Sequence, residues 1–84
     1  MNKEETKKVI IDVLSSYFHK EVTEKTDLIA DLNANSIDEM EFTMILEDKL
    51  NIDLYDSPIP RITKVEQILD LCWSKLEIKN NNEN

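Results

Sequence analysis

The chain has 84 residues, no glycine and a formal net charge of −8. A domain of this size buries only about 60–65% of the surface of its unfolded chain, so we expect one helical domain and no enclosed catalytic cleft. The absence of glycine argues against hairpins and phosphate-cradling loops. Cys72 has no disulfide partner, and no signal peptide or transmembrane-length apolar run is present, which predicts a cytoplasmic protein.

The negative charge is concentrated in the middle third of the chain. Residues 27–57 contain nine acidic residues and one lysine, which account for the whole net charge. Nucleic acids and anionic membranes bind basic patches, so neither is an expected partner. A basic protein surface is the natural complement. The alternative is a solvated acidic face that only keeps the protein soluble.

The first predicted helix spans residues 3–18, and a long loop follows it over residues 19–35. Asn2 and Glu5 form a plausible capping pair at the start of the helix. Its apolar residues recur at helical spacing. They are Ile10, Val13, Leu14, Tyr17 and Phe18. Three apolar loop residues are expected to tie the loop onto the core. They are Leu28, Ile29 and Leu32.

The second predicted helix, residues 36–50, has two apolar faces. On a helical projection the expected core face comprises Phe42, Ile45, Leu46 and Leu50. Nearly opposite lies a second stripe, which we call the outer stripe, of Ile37, Met40 and Met44. It is flanked by Glu41, Glu47 and Asp48. An apolar face without covering elements in so small a domain indicates a surface for a partner.

A short, irregular third helix is predicted between the second helix and the last. Residues 51–62 contain both prolines, so at most one helical turn fits there, with Asp56 or Ser57 as the cap and Pro58 at its first position. The sequence therefore predicts an all-α fold, a four-helix bundle with a long first loop.

The last predicted helix spans residues 63–78. Thr63 and Glu66 are spaced as a capping box. The polar run after Lys79 predicts a disordered tail over residues 80–84, which leaves a single domain over residues 1–79.

The surroundings of Ser36 decide whether it is interpreted as a helix cap or as a site of covalent modification. By itself, Ser36 with Glu39 reads as a capping box, and Asn35 with Asp38 offers an overlapping one. A serine at the start of a helix is also exposed, and the free amides and positive dipole end there favour a phosphodiester. No metal-ligand set or nucleophile–base pair is apparent, and no catalytic residue is predicted.

Residues 27–42 (DLIADLNANSIDEMEF) resemble the signature of acyl carrier proteins, which typically reads D-L-G-A-D-S-L-D. Residues 46–50 (LEDKL) resemble the acidic end of that family's second helix, and residues 62–65 (ITKV) resemble the start of its last helix. The resemblance covers about residues 5–76 without gaps.

The resemblance implies that Ser36 carries 4′-phosphopantetheine, whose thiol bears acyl intermediates as thioesters in fatty acid or polyketide-like biosynthesis. It implies a monomeric, non-catalytic carrier that meets a phosphopantetheinyl transferase and acyl-processing enzymes with basic docking surfaces. Contacts with those enzymes would be made by Ile37, Asp38, Met40, Glu41, Met44, Glu47, Asp48 and Asp56. An acyl chain would be sheltered by Leu28, Ile29, Leu46, Leu54, Ile62 and Ile68.

The sequence departs from the family pattern at three places. Asn35 replaces an aspartate beside the serine, Asn33 replaces a glycine, and residues 57–60 (SPIP) replace an acidic third helix. Asparagine is the next-best residue at positive φ, so the second change is tolerable. Two alternatives stay open: a carrier of aminoacyl or peptidyl groups, and an unmodified interaction subunit, which Asn35 favours.

Overall fold

The computed structural model describes residues 2–54 and 64–82. Within them lie three α-helices, α1 (Lys3–Phe18), α2 (Ser36–Leu50) and α3 (Val65–Asn82). Helix α1 contacts both of the others. The only strand-like pairing in the described residues is an isolated bridge between Asp27 and Lys64. The predicted all-helical class is confirmed with three helices, and the predicted turn at Asp56–Pro58 lies outside the described residues.

Helix α1 begins and ends with local hydrogen bonds that its own sequence supplies. The Asn2 side chain accepts from the Glu5 amide at 2.8 Å, and the Glu5 carboxylate accepts from the Asn2 amide at 3.1 Å. This is the predicted capping box. At the other end His19 takes the left-handed conformation, with φ of 55°, and its amide donates to the Ser15 carbonyl.

A carboxylate organises the first part of the loop between α1 and α2. Asp27 Oδ1 accepts hydrogen bonds from the amides of Ile29 (2.9 Å) and Ala30 (2.8 Å). These donors, Ala30 first, lower the pKa of Asp27, because they stabilise its charged form. The Asp27 amide in turn donates to Asp31 Oδ2 at 2.8 Å. The chain is thereby held in a compact turn.

The turn directs two of the three predicted loop anchors inward. Leu28 and Leu32 are buried, whereas Ile29 is 54% exposed, so the prediction that Ile29 ties the loop to the core was wrong. The Asn33 amide donates to the Ile29 carbonyl four residues earlier. With this helix-like spacing, residues 28 and 32 share one face and residue 29 lies about 100° away.

The loop also holds the start of α3. The amides of Val65 and Glu66 donate to the carbonyls of Thr26 (3.1 Å) and Glu24 (2.9 Å). The first amides of a helix have no partner within the helix, so these loop carbonyls satisfy two of them. The loop and α3 are therefore joined by backbone contacts as well as by packing.

Helix α3 continues four residues beyond the predicted end at 78. It runs to Asn82, so residues 80–82 are helical where composition predicts a disordered tail. Neither glycine nor proline follows position 60, so no strong stop signal interrupts the helix. The predicted capping residue Thr63 lies outside the described residues, and the division at residue 79 stays a prediction.

The core lies between the three helices and the loop. Its buried residues are Ile10, Val13, Leu14, Val22, Leu28, Leu32, Phe42, Leu46, Leu50, Leu54, Val65, Ile68, Leu69 and Cys72. Ile45, which the helical projection places on the core face of α2, is absent from this cluster, because it is 37% exposed. Ile45 lies instead in a groove of about 490 Å³ between α1 and α2, lined also by Val9, Asp12, Val13, Ser16, Tyr17 and Lys49.

Candidate functional site

Helix α2 begins with a capping box one residue earlier than Ser36. Asn35 is the N-cap, in an extended conformation with φ of −107°, and its side chain accepts from the Asp38 amide at 2.9 Å. The Asp38 carboxylate accepts from the Asn35 amide at 3.1 Å. Of the two overlapping capping boxes that the sequence predicts, Asn35 with Asp38 is confirmed and Ser36 with Glu39 is wrong. Asparagine and serine cap equally well, so only the backbone conformation decides between them.

Ser36 is thereby left as the first residue inside the helix, with an exposed side chain. In the described part of the chain its hydroxyl has no hydrogen-bond partner, and neither do the amides of Ser36 and Ile37. Amides at a helix start and the positive end of the helix dipole attract anions. The hydroxyl can accordingly accept a phosphate substituent without the loss of a contact in the described residues.

Tyr17 of α1 reaches the same turn from the other side. Its hydroxyl donates to Asp38 Oδ1 at 2.9 Å. The ring packs edge-on against Phe18 and Phe42, with centroids 4.9 Å and 6.4 Å away. Burial of the phenol, followed by the Asp38 carboxylate, raises the pKa of Tyr17 to about 12. The sequence pattern predicts only that Tyr17 lies on an apolar helix face. A tyrosine hydroxyl on such a face needs a hydrogen-bond partner, and that need was the one signal in the sequence for this contact.

The predicted outer stripe of α2 is exposed. Ile37, Met40 and Met44 are 62%, 64% and 62% exposed, whereas Phe42 and Leu46 on the other side are buried. Helix α2 thus has an apolar face turned to solvent, as its projection predicts. Its use as a contact for partners stays a prediction.

The acidic residues predicted to meet partners differ in what they do within the fold. Glu41 and Asp48 are exposed. Asp38 has both carboxylate oxygens in hydrogen bonds, and Glu47 Oε2 accepts from the Leu54 amide at 2.8 Å. Asp56 lies outside the described residues. At least two of the five acids therefore stabilise local structure, in addition to any contact with a partner enzyme.

The residues predicted to shelter an acyl chain lie in different places. Leu28, Leu46, Leu54 and Ile68 belong to the same buried cluster. Ile29 is largely exposed, and Ile62 lies outside the described residues. Four of the six are therefore brought together, in a packed core.

The described residues contain neither a reactive thiol nor a metal-binding cluster. Cys72 is buried, and its burial raises the pKa of the thiol to about 12, so it stays protonated at neutral pH. Within residues 2–54 and 64–82 no cluster of three or more His, Cys, Asp or Glu residues could hold a metal ion. None of the described helices is long and apolar enough to cross a membrane.

Comparison with known proteins shows a similarity to an acyl carrier protein. No family model matches the chain. The chain is 34% identical over 65 residues to a protein named acyl carrier protein from Buchnera aphidicola subsp. Baizongia pistaciae (strain Bp). The similar region covers 77% of this chain and 82% of the relative.

Proposed function

Because this chain belongs to the acyl carrier protein family, we propose that Ser36 is the attachment site of a 4′-phosphopantetheine arm that presents acyl groups to biosynthetic enzymes. The observation that carries the proposal is the exposed Ser36 at the first position of α2. Ser36 is also the serine that aligns with the family signature quoted above.

The residues around Ser36 fit such a group. A phosphodiester is an anion, and the amides of Ser36 and Ile37 at the helix start have no partner in the described residues. The Asn35 side chain is neutral, so it adds no repulsion. Ser36 would hold the arm through its Oγ, and the arm's terminal thiol supplies the thioester that carries the acyl group.

Attachment requires a donor, for which coenzyme A has the right chemistry. The Ser36 oxygen would form a bond to the phosphorus next to pantetheine as the pyrophosphate bond breaks. Adenosine bisphosphate leaves, and the hydroxyl proton passes to the transferase or solvent. The chain itself supplies the hydroxyl and its position; acyl carrier proteins are carriers and not catalysts.

The outer stripe supports the carrier role because it adjoins Ser36. Ile37 follows Ser36 directly, and Met40 and Met44 extend the exposed apolar face along α2. Exposed Glu41 and Asp48 lie on the same helix. A partner enzyme with an apolar centre and basic rim would match this face in both respects. We propose fatty acid or specialised, polyketide-like synthesis as the setting, in the cytoplasm.

Mass spectrometry tests the proposal directly. The chain, incubated with a permissive phosphopantetheinyl transferase and coenzyme A, should gain one arm, and Ser36→Ala should gain none. Ser16→Ala is the matched control, since Ser16 is also exposed but lies on α1. An arm on the Ser36→Ala protein would refute the assignment. A wild-type chain that gains none would favour the unmodified interaction subunit.

Asn35→Asp tests whether the departure from the family pattern matters. Aspartate caps as well as asparagine, so the fold should be unchanged. A transferase dedicated to fatty acid synthesis should modify the variant faster than the wild type, while a permissive one should treat them alike. Equal rates with both enzymes would show that the missing charge is neutral. A separate assay of which group is loaded onto the arm would distinguish an acyl carrier from an aminoacyl or peptidyl carrier.

A further inference from the structure

A chain of hydrogen bonds connects α1 to the turn that contains Ser36. From it we infer that Tyr17 is a positioning residue for arm attachment, acting through Asp38 to hold Ser36 at the start of α2. This inference rests on the proposed function. It assigns a role to a residue on a different helix, outside the signature at residues 27–42.

The geometry forms a closed set around Ser36. The Tyr17 hydroxyl donates to Asp38 Oδ1 at 2.9 Å, and Asp38 Oδ2 accepts from the Asn35 amide at 3.1 Å. The Asn35 side chain returns a bond by accepting from the Asp38 amide at 2.9 Å. Ser36 lies in the chain between the two capping residues. Any rotation of the Asp38 carboxylate that breaks the bond to Asn35 must also disturb the bond to Tyr17.

Packing alone does not require the Tyr17 hydroxyl. The ring makes its edge-on contacts with Phe18 and Phe42 through carbon atoms, and phenylalanine would keep them. The hydroxyl instead reaches Asp38, which is half-buried. It therefore ties a core side chain to a capping side chain.

Such a constraint matters most at a helix end. The first turn of a helix frays more readily than its middle, and the Ser36 and Ile37 amides there lack partners in the described residues. A transferase needs the hydroxyl in one position, and any disorder at that turn reduces the competent fraction. Tyr17 opposes that disorder from a different helix, through its hydrogen bond to Asp38.

The decisive variant is Tyr17→Phe, which removes one oxygen and keeps the ring. We expect the kcat/KM of arm attachment by a permissive transferase to fall about three- to tenfold, the factor that corresponds to the net contribution of one typical intramolecular hydrogen bond. Thr6→Val is the control. Thr6 is buried, and its hydroxyl donates to the Asn2 carbonyl at 2.9 Å, at the far end of α1.

A general loss of stability would not reproduce the expected pattern. While both variants stay almost fully folded, destabilisation alone leaves the rate unchanged, so Thr6→Val should be modified like the wild type. Tyr17→Phe should also have a much smaller effect in an Asp38→Ala background, since the acceptor at 2.9 Å is then absent and only the weaker interaction with Glu41 remains. Equal slowing in both backgrounds, or an unchanged or faster rate for Tyr17→Phe, would overturn the inference.

Amide hydrogen exchange separates this inference from the proposed function. Tyr17→Phe should speed exchange at the capped Asp38 amide and at Glu39, whose amide donates to the Asn35 carbonyl, but not near Leu50 at the other end of α2. A wild-type chain that takes no arm would refute the proposed function, and these exchange rates would still decide whether Tyr17 holds the turn. Unchanged exchange at both amides would overturn the positioning role in either case.

Discussion

The two faces of α2 can be compared by shortening one side chain on each. Leu46 is fully buried, so Leu46→Ala should lower the free energy of unfolding by roughly 2–5 kcal/mol through lost transfer energy and the cavity left behind. Met44 is 62% exposed, so only a little more than a third of its surface is buried in the folded protein. Full burial of a methionine is worth about 1.5–3 kcal/mol, so Met44→Ala should cost about 0.5–1 kcal/mol.

That difference is large for a domain of this size. At roughly 0.05–0.15 kcal/mol per residue, the whole domain is stable by about 4–13 kcal/mol, and each kcal/mol shifts the thermal midpoint by about 4–8 °C. Urea unfolding followed by circular dichroism would give both values, with equal m-values required for a fair comparison. If Met44→Ala costs as much as Leu46→Ala, the outer stripe is part of the core and the docking surface does not exist.

Three further predictions concern single residues. Ser36→Ala should change the free energy of unfolding by less than about 0.5 kcal/mol, whereas Asn35→Ala should lower it by about 0.5–2 kcal/mol, because Asn35 is the cap. The reverse order in urea unfolding would contradict the observed capping box. Cys72 should react with a thiol reagent at pH 8 only after unfolding, and rapid labelling of the native protein would contradict its burial. Glu41→Lys should slow association with a basic partner enzyme at about 0.1 M salt and lose that effect near 1 M, where the Debye length is about 3 Å; a salt-independent change in stopped-flow rates would point to a different contact.

The helices could be predicted because their signals are local and repeated. Ile10, Val13 and Leu14 recur at helical spacing, and Asn2 with Glu5 marks the start of α1. The outer stripe of α2 could be predicted for a similar reason: its apolar residues and the core residues fall on separate arcs of one helix. Its exposure then follows because the other two helices of the described residues do not cover both arcs.

The remaining features depend on tertiary geometry that a one-dimensional pattern does not contain. Ile45 falls on the core arc of α2, but it lies beside the groove along α1 and is 37% exposed. The bond from Tyr17 to Asp38 joins residues 21 positions apart. The choice of Asn35 over Ser36 as cap depends on one pair of dihedral angles.

The absence of glycine turns out to be compensated rather than limiting. Three residues take positive φ in the described part of the chain: His19 and Asn51, which end α1 and α2, and Asn33, which precedes the α2 cap. Asparagine is one of the few residues that adopt this conformation at modest cost. The prediction that Asn33 tolerates the family's glycine position is confirmed by its φ of 53°.

Acidic side chains complete the turns that these residues begin, and this changes how the charge of the middle third should be interpreted. Asp27 holds the amides of Ile29 and Ala30, Asp38 holds that of Asn35, and Glu47 holds that of Leu54. The number of charges in the sequence does not distinguish these acids from exposed Glu41 and Asp48, so all of them look like one acidic surface. Reversing the charge of Asp38 or Glu47 would break a fold contact as well as alter any docking surface. Charge reversal measures docking most directly at exposed Asp48, because exposed Glu41 also interacts with the Tyr17 hydroxyl.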